Sequence, residues 1–328
     1  MQYGLIIPET SSLDPRLYRF GGVSGLSQVV LQPDRNFRSF LPALELQNKA
    51  NFDRMACVTY SAWNCCETLL KRKYNLDLNW SDRFTAKLSG TTAQGNSFYN
   101  VGESIRKLHG GVTEDKWPDV ESSVDPAAGF SDYYRDVPED IRKLGLEIFP
   151  QWKIEYESVW DDQDSLWEAL QYAPIQVALY AYGPEVNGVV QRVETRGNHA
   201  VMLMNGKKGE WWEIFDHYAW VIKKLAWNTR FWGAVRYDIS RKVIAPPPMY
   251  AFKEDTMYFV AEGKGVEFAQ LGGKLRFDDP NKMSRQVAYR TKGVIGNRYE
   301  TISLKELEGV TAYDLKGKDL GPARALAV

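Results

Sequence analysis

The chain of 328 residues is poor in the residues on which compact redox and metal sites are built, with three cysteines and three histidines. Cys65 and Cys66 are vicinal and Cys57 is the odd one, so no disulfide framework can be drawn. There is no Cys-x-x-Cys, which excludes a thioredoxin-like redox site. The histidines, at positions 109, 199 and 217, are far from the cysteines and from one another's metal-ligand spacings, which excludes a zinc finger pattern. No run approaches the roughly 18 apolar residues of a membrane span. The N-terminus, MQYGLIIPETSSLDPR, lacks the basic start of a classical secretion signal. A formal net charge of −1 supplies no pull towards nucleic acid or an anionic membrane. The expected setting is therefore cytoplasmic, or a particle assembled in a cytoplasm, with no metal, no cofactor, no nucleic acid and no membrane span.

What is present is the composition of a well-packed globular protein, 44% hydrophobic and 13% aromatic with 11 tryptophans. Residues 1–40 carry turn formers (PETSS, FGG) and little periodicity, and read as an extended arm. Helical spacing runs from Ala56 to about Tyr74, and Lys71, Arg72 and Lys73 suit the dipole of its last turn. Ser81 N-caps a short helix closed by Gly90, and a third helix covers about 97–108. Others are expected at PEDIRKLG and at SLWEALQYA, the latter capped by Asp164 or Ser165. The periodicity then changes to two, and PIQVALYAY, HAVMLMNG, WWEIFDHY and FWGAVRYDI read as strands. Helices first and an antiparallel sheet second make an α+β domain over 41–243. The prolines of 244–248 form a linker, and 249–328 reads as a small β-rich accessory domain with a loose tail at 320–328.

The cysteines separate by position. Cys65 and Cys66 lie inside the helix, where a thiol has neither dipole nor base, and read as small packing residues. Cys57 opens the helix, where free N–H groups and the positive dipole end favour a thiolate. A nucleophile also needs a base. His109 ends a helix at KLHGG and reads as its C-terminal cap. His199 opens the strand HAVMLMNG, where its side chain can project at the sheet end, and His217 directly follows Asp216 in the next strand. His199 lies 142 positions after Cys57. A papain-type arrangement separates its nucleophile and histidine by about 130–150 residues.

The motifs extend this likeness. ACVTYSAWNCCE is similar to the nucleophile helix SCWAFSAxxxxE of the papain-like cysteine peptidases, with Cys57 at the nucleophile. WSDRFTAKLSG resembles the family's LSEQxLxDC, and GNSFYNVGESIRKLHGGVTEDKWP resembles its Gly-rich loop and helix ending in GGITxExxYP. NHAVMLMNG is similar to DHAVxxVGYG, which places His199 at the base. WWEIFDHYAW resembles YWIVKNSWG, with Asp216 in place of the orienting asparagine. The resemblance covers about residues 40–240. It departs at Val58, where the family has a tryptophan, and at the oxyanion glutamine. Asn51 stands at the usual spacing, and Gln47, four residues earlier, is favoured over it. The absence of the family's disulfides and inhibitory propeptide points to bacterial or bacteriophage relatives, and a phage-encoded chain would be virion-associated.

The resemblance implies a papain-like fold, with an N-terminal helical part and an antiparallel β-sheet or barrel part, beside the β-rich accessory domain. It implies a cysteine endopeptidase with a polypeptide substrate. Cys57 would attack the amide carbonyl to form a thioester, with His199 as base, Asp216 orienting it and Gln47 stabilising the oxyanion. Gln94, Gly95, Asn96 and Asn198 would bind the substrate chain. Two alternatives stand beside this. One is a peptidoglycan endopeptidase or amidase. The other is a catalytically weak or inactive fold kept as a structural or adhesive component, with a protein partner bound through the C-terminal domain.

Overall fold

The computed structural model describes residues 4–7, 31–42, 45–48, 52–120, 125–218, 221–242, 256–260, 262, 267–271, 274–277, 298–313 and 318–328. The expected linker at 244–248, Asn51 and most of the expected arm lie outside the described residues. The chain divides into two compact units, 1–242 and 243–328.

The first unit is built on α1 (Cys57–Tyr74), which packs against three strands of a large sheet. Every residue from Cys57 to Leu70 is buried, so this is a core helix rather than an amphipathic surface one. It ends at Asn75, whose N–H donates to the Lys71 carbonyl at 3.0 Å and whose φ of 54° turns the chain so that the Leu76 N–H meets the Leu70 carbonyl at 3.4 Å. The next helix, α2 (Asp82–Leu88), starts as expected at Ser81, whose hydroxyl accepts from the Phe84 N–H at 3.2 Å. The third helix differs from expectation. It is α-helical only over α3 (Phe98–Glu103), then widens into a π-turn at Ser104–Leu108. The N–H groups of His109 and Gly110 both close on the Ser104 carbonyl at 2.9 Å.

The helices α4 (Pro126–Tyr133), α5 (Glu139–Leu146) and α6 (Ile148–Gln151) lead into strand β1 (Trp152–Val159), which alternation within WKIEYESV explains. The helix after it, α7 (Gln163–Ala169), is capped by Asp162, not by Asp164 or Ser165. The carboxylate of Asp162 accepts from the Ser165 N–H at 2.9 Å, which starts the helix one residue before Asp164. There follow β2 (Ile175–Leu179), the short β3 (Glu185–Val186) and β4 (Val189–Val190), β5 (His199–Lys207), β6 (Trp211–Asp216), β7 (Val221–Ala226) and β8 (Ala234–Arg241).

These form one sheet in the order β1-β8-β2-β5-β6-β7-β4-β3, antiparallel except where β4 meets β7. Helices lie before and upon an antiparallel-rich sheet, and the unit is α+β. Buried charge within it is matched across strands. Arg236 on β8 pairs with Glu157 directly opposite on β1, both almost fully buried. Among the described residues no helix is long and apolar enough to cross a membrane.

The second unit contains β9 (Thr256–Val260), β10 (Glu267–Leu271), β11 (Lys274–Phe277), β12 (Arg298–Ile302), β13 (Thr311–Tyr313) and β14 (Asp319–Pro322), ordered β12-β9-β10-β11-β13-β14. Its tail is not loose. β14 pairs with β13, and the final helix α8 (Ala323–Ala327) buries Ala323 and Ala327 one turn apart against Phe268, Leu275 and Leu307. Small side chains let this short helix sit close, a signal that a composition of Gly, Pro and Ala obscures.

Candidate active site

Residues 45–48 and 52–56 precede α1, and one arginine organises them. Arg54 is fully buried, and its guanidinium donates to the Gln47 carbonyl at 2.9 Å, the Val120 carbonyl at 2.8 Å and the Asp119 carboxylate at 2.8 Å. It also lies over the rings of Phe52 and Tyr133, at 4.8 and 5.4 Å. Asp53 accepts from the Gln47 side-chain amide and from the Met55 N–H, both at 2.7 Å. An amide nitrogen carries two hydrogens, so this bond engages one of those on Gln47. The loop delivers Cys57 to the first position of α1, where the chain has no side-chain cap.

The first turn of α1 is braced from the sheet. Gln176 on β2 donates to the Val58 carbonyl and to Ser61 Oγ, both at 2.7 Å, and accepts from the Tyr237 hydroxyl at 3.2 Å. Ser61 in turn donates to the Cys57 carbonyl at 2.7 Å. Cys65 and Cys66 lie further along the same helix, fully buried in the core as expected of packing residues.

His199 and Asp216 meet because β5 and β6 are antiparallel neighbours. Met202 faces Phe215, so the start of β5 and the end of β6 lie at the same sheet end. Continuing the register puts Val201 opposite Asp216, with His199 on the same face two residues on. His199 Nε2 lies 3.0 Å from Asp216 Oδ1. That carboxylate also accepts from the Tyr218 N–H at 2.9 Å and, on Oδ2, from the Tyr182 hydroxyl at 2.7 Å. Burial alone would raise the Asp216 carboxyl. The hydrogen bond from His199, together with the Tyr182 bond, holds it far below the usual carboxylate range. An ionised carboxylate only accepts, so the imidazole proton resides on Nε2.

The backbone of Ala200, next to His199, acts on the Cys57 thiol in favour of its thiolate, and the head of β5 lies beside the head of α1. Burial pushes the Cys57 thiol up, Asp53 and Asp216 add to this, and the backbone of Ala200 and Val58 opposes it. Cys57 and His199 are 0% exposed and Asp216 is 1% exposed.

The remaining candidates fall into different places. Asn96 has its side chain turned inward onto Ser89, Thr91 and Asn100. Gln94 is exposed in the turn beside it. The Asn198 side chain accepts from the Ala181 N–H at 3.0 Å. The backbone of the 94–96 turn is engaged by the chain itself. Ile6 N–H donates to the Asn96 carbonyl at 2.7 Å, and Asn96 N–H donates to the Gly4 carbonyl at 2.8 Å. The approach is close enough that a Cβ on Gly95, whose φ is +96°, would stand 1.9 Å from Gly4. Residues 4–7 then pass from Met55, against which Gly4 rests, to Arg196, whose guanidinium holds the Ile7 carbonyl at 2.6 Å. This segment thus links the stretch just before Cys57 with the stretch just before His199.

Sequence reasoning passed over three residues here. His217, 1% exposed, stacks on Tyr60 with centroids 5.2 Å apart and lies 5.5 Å from the His199 ring. Burial, then the neighbouring His199, bring it down to about 3 against the favourable charge of Asp216, so it is neutral. Tyr218 sets its ring edge-on to His199 at 5.9 Å. Tyr182 contacts both Asp216 and the edge of His199. Adjacency to Asp216 could have flagged His217 and Tyr218. Nothing local marks Tyr182. His109 is the C-terminal cap of its segment, as expected, and the segment it closes is the π-turn. Among the described residues no group of three or more His, Cys, Asp or Glu could hold a metal ion.

No family model matches the sequence, and no curated protein is significantly similar to it. The chain is similar in structure to several cysteine proteases. One is the proform of the ragweed pollen allergen Amb a 11, at 14% identity over 65% of this chain and 68% of that one, with a TM-score of 0.44. Another is digestive procathepsin L2 from the larval midgut of Tenebrio molitor, at 14% identity, 72% and 78% coverage and a TM-score of 0.47. A third is the bromelain protease of Ananas comosus, solved with the E64 inhibitor, at 15% identity, 62% and 96% coverage and a TM-score of 0.43.

Proposed function

We propose that the 1–242 unit is a cysteine-dependent hydrolase of peptide bonds, with Cys57 as nucleophile, His199 as general base and acid, Asp216 as orienting carboxylate and Gln47 as oxyanion donor. The observation that carries this reading is the buried His199–Asp216 hydrogen bond at the end of β5, the strand on which α1 packs and whose Ala200 lies near the Cys57 thiol. With its proton on Nε2, the imidazole has Nδ1 as its basic nitrogen, and this atom exchanges a proton with the thiol. Transfer to Nδ1 gives a thiolate and an imidazolium, and the sulfur forms a bond to the scissile carbonyl carbon. The oxyanion is met by the Cys57 N–H and the Gln47 amide, and a lost donor of this kind costs about 3–4 kcal/mol. Collapse breaks the C–N bond as the imidazolium protonates the leaving amine, and water activated by His199 then hydrolyses the thioester. Burial disfavours the thiolate, so reaction requires that the site open and that imidazolium form beside the sulfur.

The test is labelling with a thiol-directed peptide electrophile, followed by mass spectrometry. One adduct at Cys57, lost in Cys57→Ala, is the expected result, and an adduct at Cys65 or persistence in the variant overturns it. A second reading, a papain-like scaffold without activity, is favoured by the zero exposure of Cys57 and His199. It predicts no adduct in the native protein at any pH. For an active protein, zymography on cell walls against casein separates a peptidoglycan substrate from a polypeptide.

A further inference from the structure

We infer that Tyr182 is a positioning residue, whose phenol occupies the second oxygen of Asp216 and thereby fixes the carboxylate that aligns His199. The inference rests on the proposed role of Asp216 as the orienting group.

Asp216 is 1% exposed, and a carboxylate presents two oxygens that can only accept. Oδ1 is met by His199 Nε2 and by the Tyr218 N–H. Oδ2 receives the Tyr182 hydroxyl at 2.7 Å, the shortest of the three bonds. Were that donor missing, a buried charged oxygen would lose its bond to a neutral group in a place where water is excluded, which is costly. An asparagine in the same position would carry only one acceptor oxygen and bring donors of its own. Aspartate at 216 and tyrosine at 182 therefore form a matched pair.

Tyr182 reaches the site by topology. Leu179, at the end of β2, lies opposite His199 at the start of β5, and the chain beyond Leu179 brings Tyr182 over the imidazole edge with centroids 6.3 Å apart. The charged and titratable groups facing Asp216 are His199 of β5, His217 and Tyr182, with the Cys57 thiol of α1 also within its field. Lys223 of β7 sits 5.1 Å from the Tyr182 ring centroid, a cation over the ring that favours the same placement. A phenol pinned in this way holds the carboxylate plane and keeps the imidazole proton at Nε2.

Tyr182→Phe keeps the ring and deletes only the donor. The readout is the Nε2 proton of His199 in 15N-labelled protein, whose three histidines make the ring resonances assignable by single substitution. In Tyr182→Phe this proton should exchange with solvent about tenfold faster, the scale of one lost charge-assisted bond. In an Asp216→Asn background the same change should alter exchange by less than about twofold, because the coupling runs through the carboxylate. Unchanged near-UV circular dichroism identifies the effect as local, and on a cleaved peptide kcat should fall with KM unchanged. Unaltered exchange, or equal acceleration in both backgrounds, overturns the inference. The exchange measurement is made in Cys57→Ala protein, so it decides the role of Tyr182 whether or not the chain hydrolyses peptides. Failure of the hydrolase reading appears separately, as the absence of a Cys57 adduct.

Discussion

Arg54 illustrates how much of the site depends on single buried side chains. Its guanidinium satisfies two carbonyls and one carboxylate while packed between two rings, so no aliphatic replacement can restore the loop before Cys57. Arg54→Met should destabilise the first unit by about 1–3 kcal/mol, the cost of leaving the Gln47 and Val120 carbonyls without this donor. The urea unfolding midpoint checks this. A second residue-scale expectation concerns pH. Glu114 is held up at about 8, against an ordinary 4.5, chiefly by burial and then by the neighbouring Glu45. The buried Glu67 and Asp82 carboxyls beside it are pushed up as well, again by burial first. Because the folded value lies above the unfolded one, folding takes up a proton between them. The stability tied to that proton is complete below about 4.5 and is lost as pH rises through 8. Glu114→Gln should therefore flatten the fall in melting temperature between pH 5 and pH 9.

At the scale of elements, the segment at 4–7 lies in main-chain contact with the turn that a peptide substrate was expected to use. A single substitution that loosens it is Gly95→Ala, since the added methyl would fall 1.9 Å from Gly4 and the φ of +96° disfavours any side chain. Both Gly95→Ala and removal of residues 1–7 should raise the rate of Cys57 alkylation by iodoacetamide, by about tenfold or more if opening the segment controls access. Equal rates in parent and both variants would mean that access is governed elsewhere. The brace on α1 makes a separate prediction. Gln176→Leu strands the Tyr237 hydroxyl and leaves the Val58 carbonyl and Ser61 without their donor. A loss of about 1–3 kcal/mol in thermal unfolding is expected, with the sheet itself intact.

Over the whole molecule, the two compact units have separate cores, one around α1 and the eight-stranded sheet, the other around Phe268, Leu275 and Leu307. The candidate site lies entirely within residues 1–242. Much of this was legible in the sequence, and the reason is local. Although β2, β5, β6 and β8 are buried nearly throughout rather than on one face, their positions, the extent of α1 and the Ser81 cap follow from residue pattern and end chemistry within one stretch of chain. So does the order Cys57, His199, Asp216, each placed at the start or end of an element where a side chain can project. Strand β7 escaped notice because Lys223 and Lys224 interrupt its pattern, and α8 because a five-residue helix carries too short a signal. What the sequence by itself determined is which residues share a face and which elements they begin or end. Only the tertiary structure decided that His199 bonds Asp216, that Tyr182 completes that carboxylate, that His217 is buried neutral, and that residues 4–7 lie against the 94–96 turn. Strand register and burial set these contacts between residues far apart in the chain, and neither quantity is written in any local pattern.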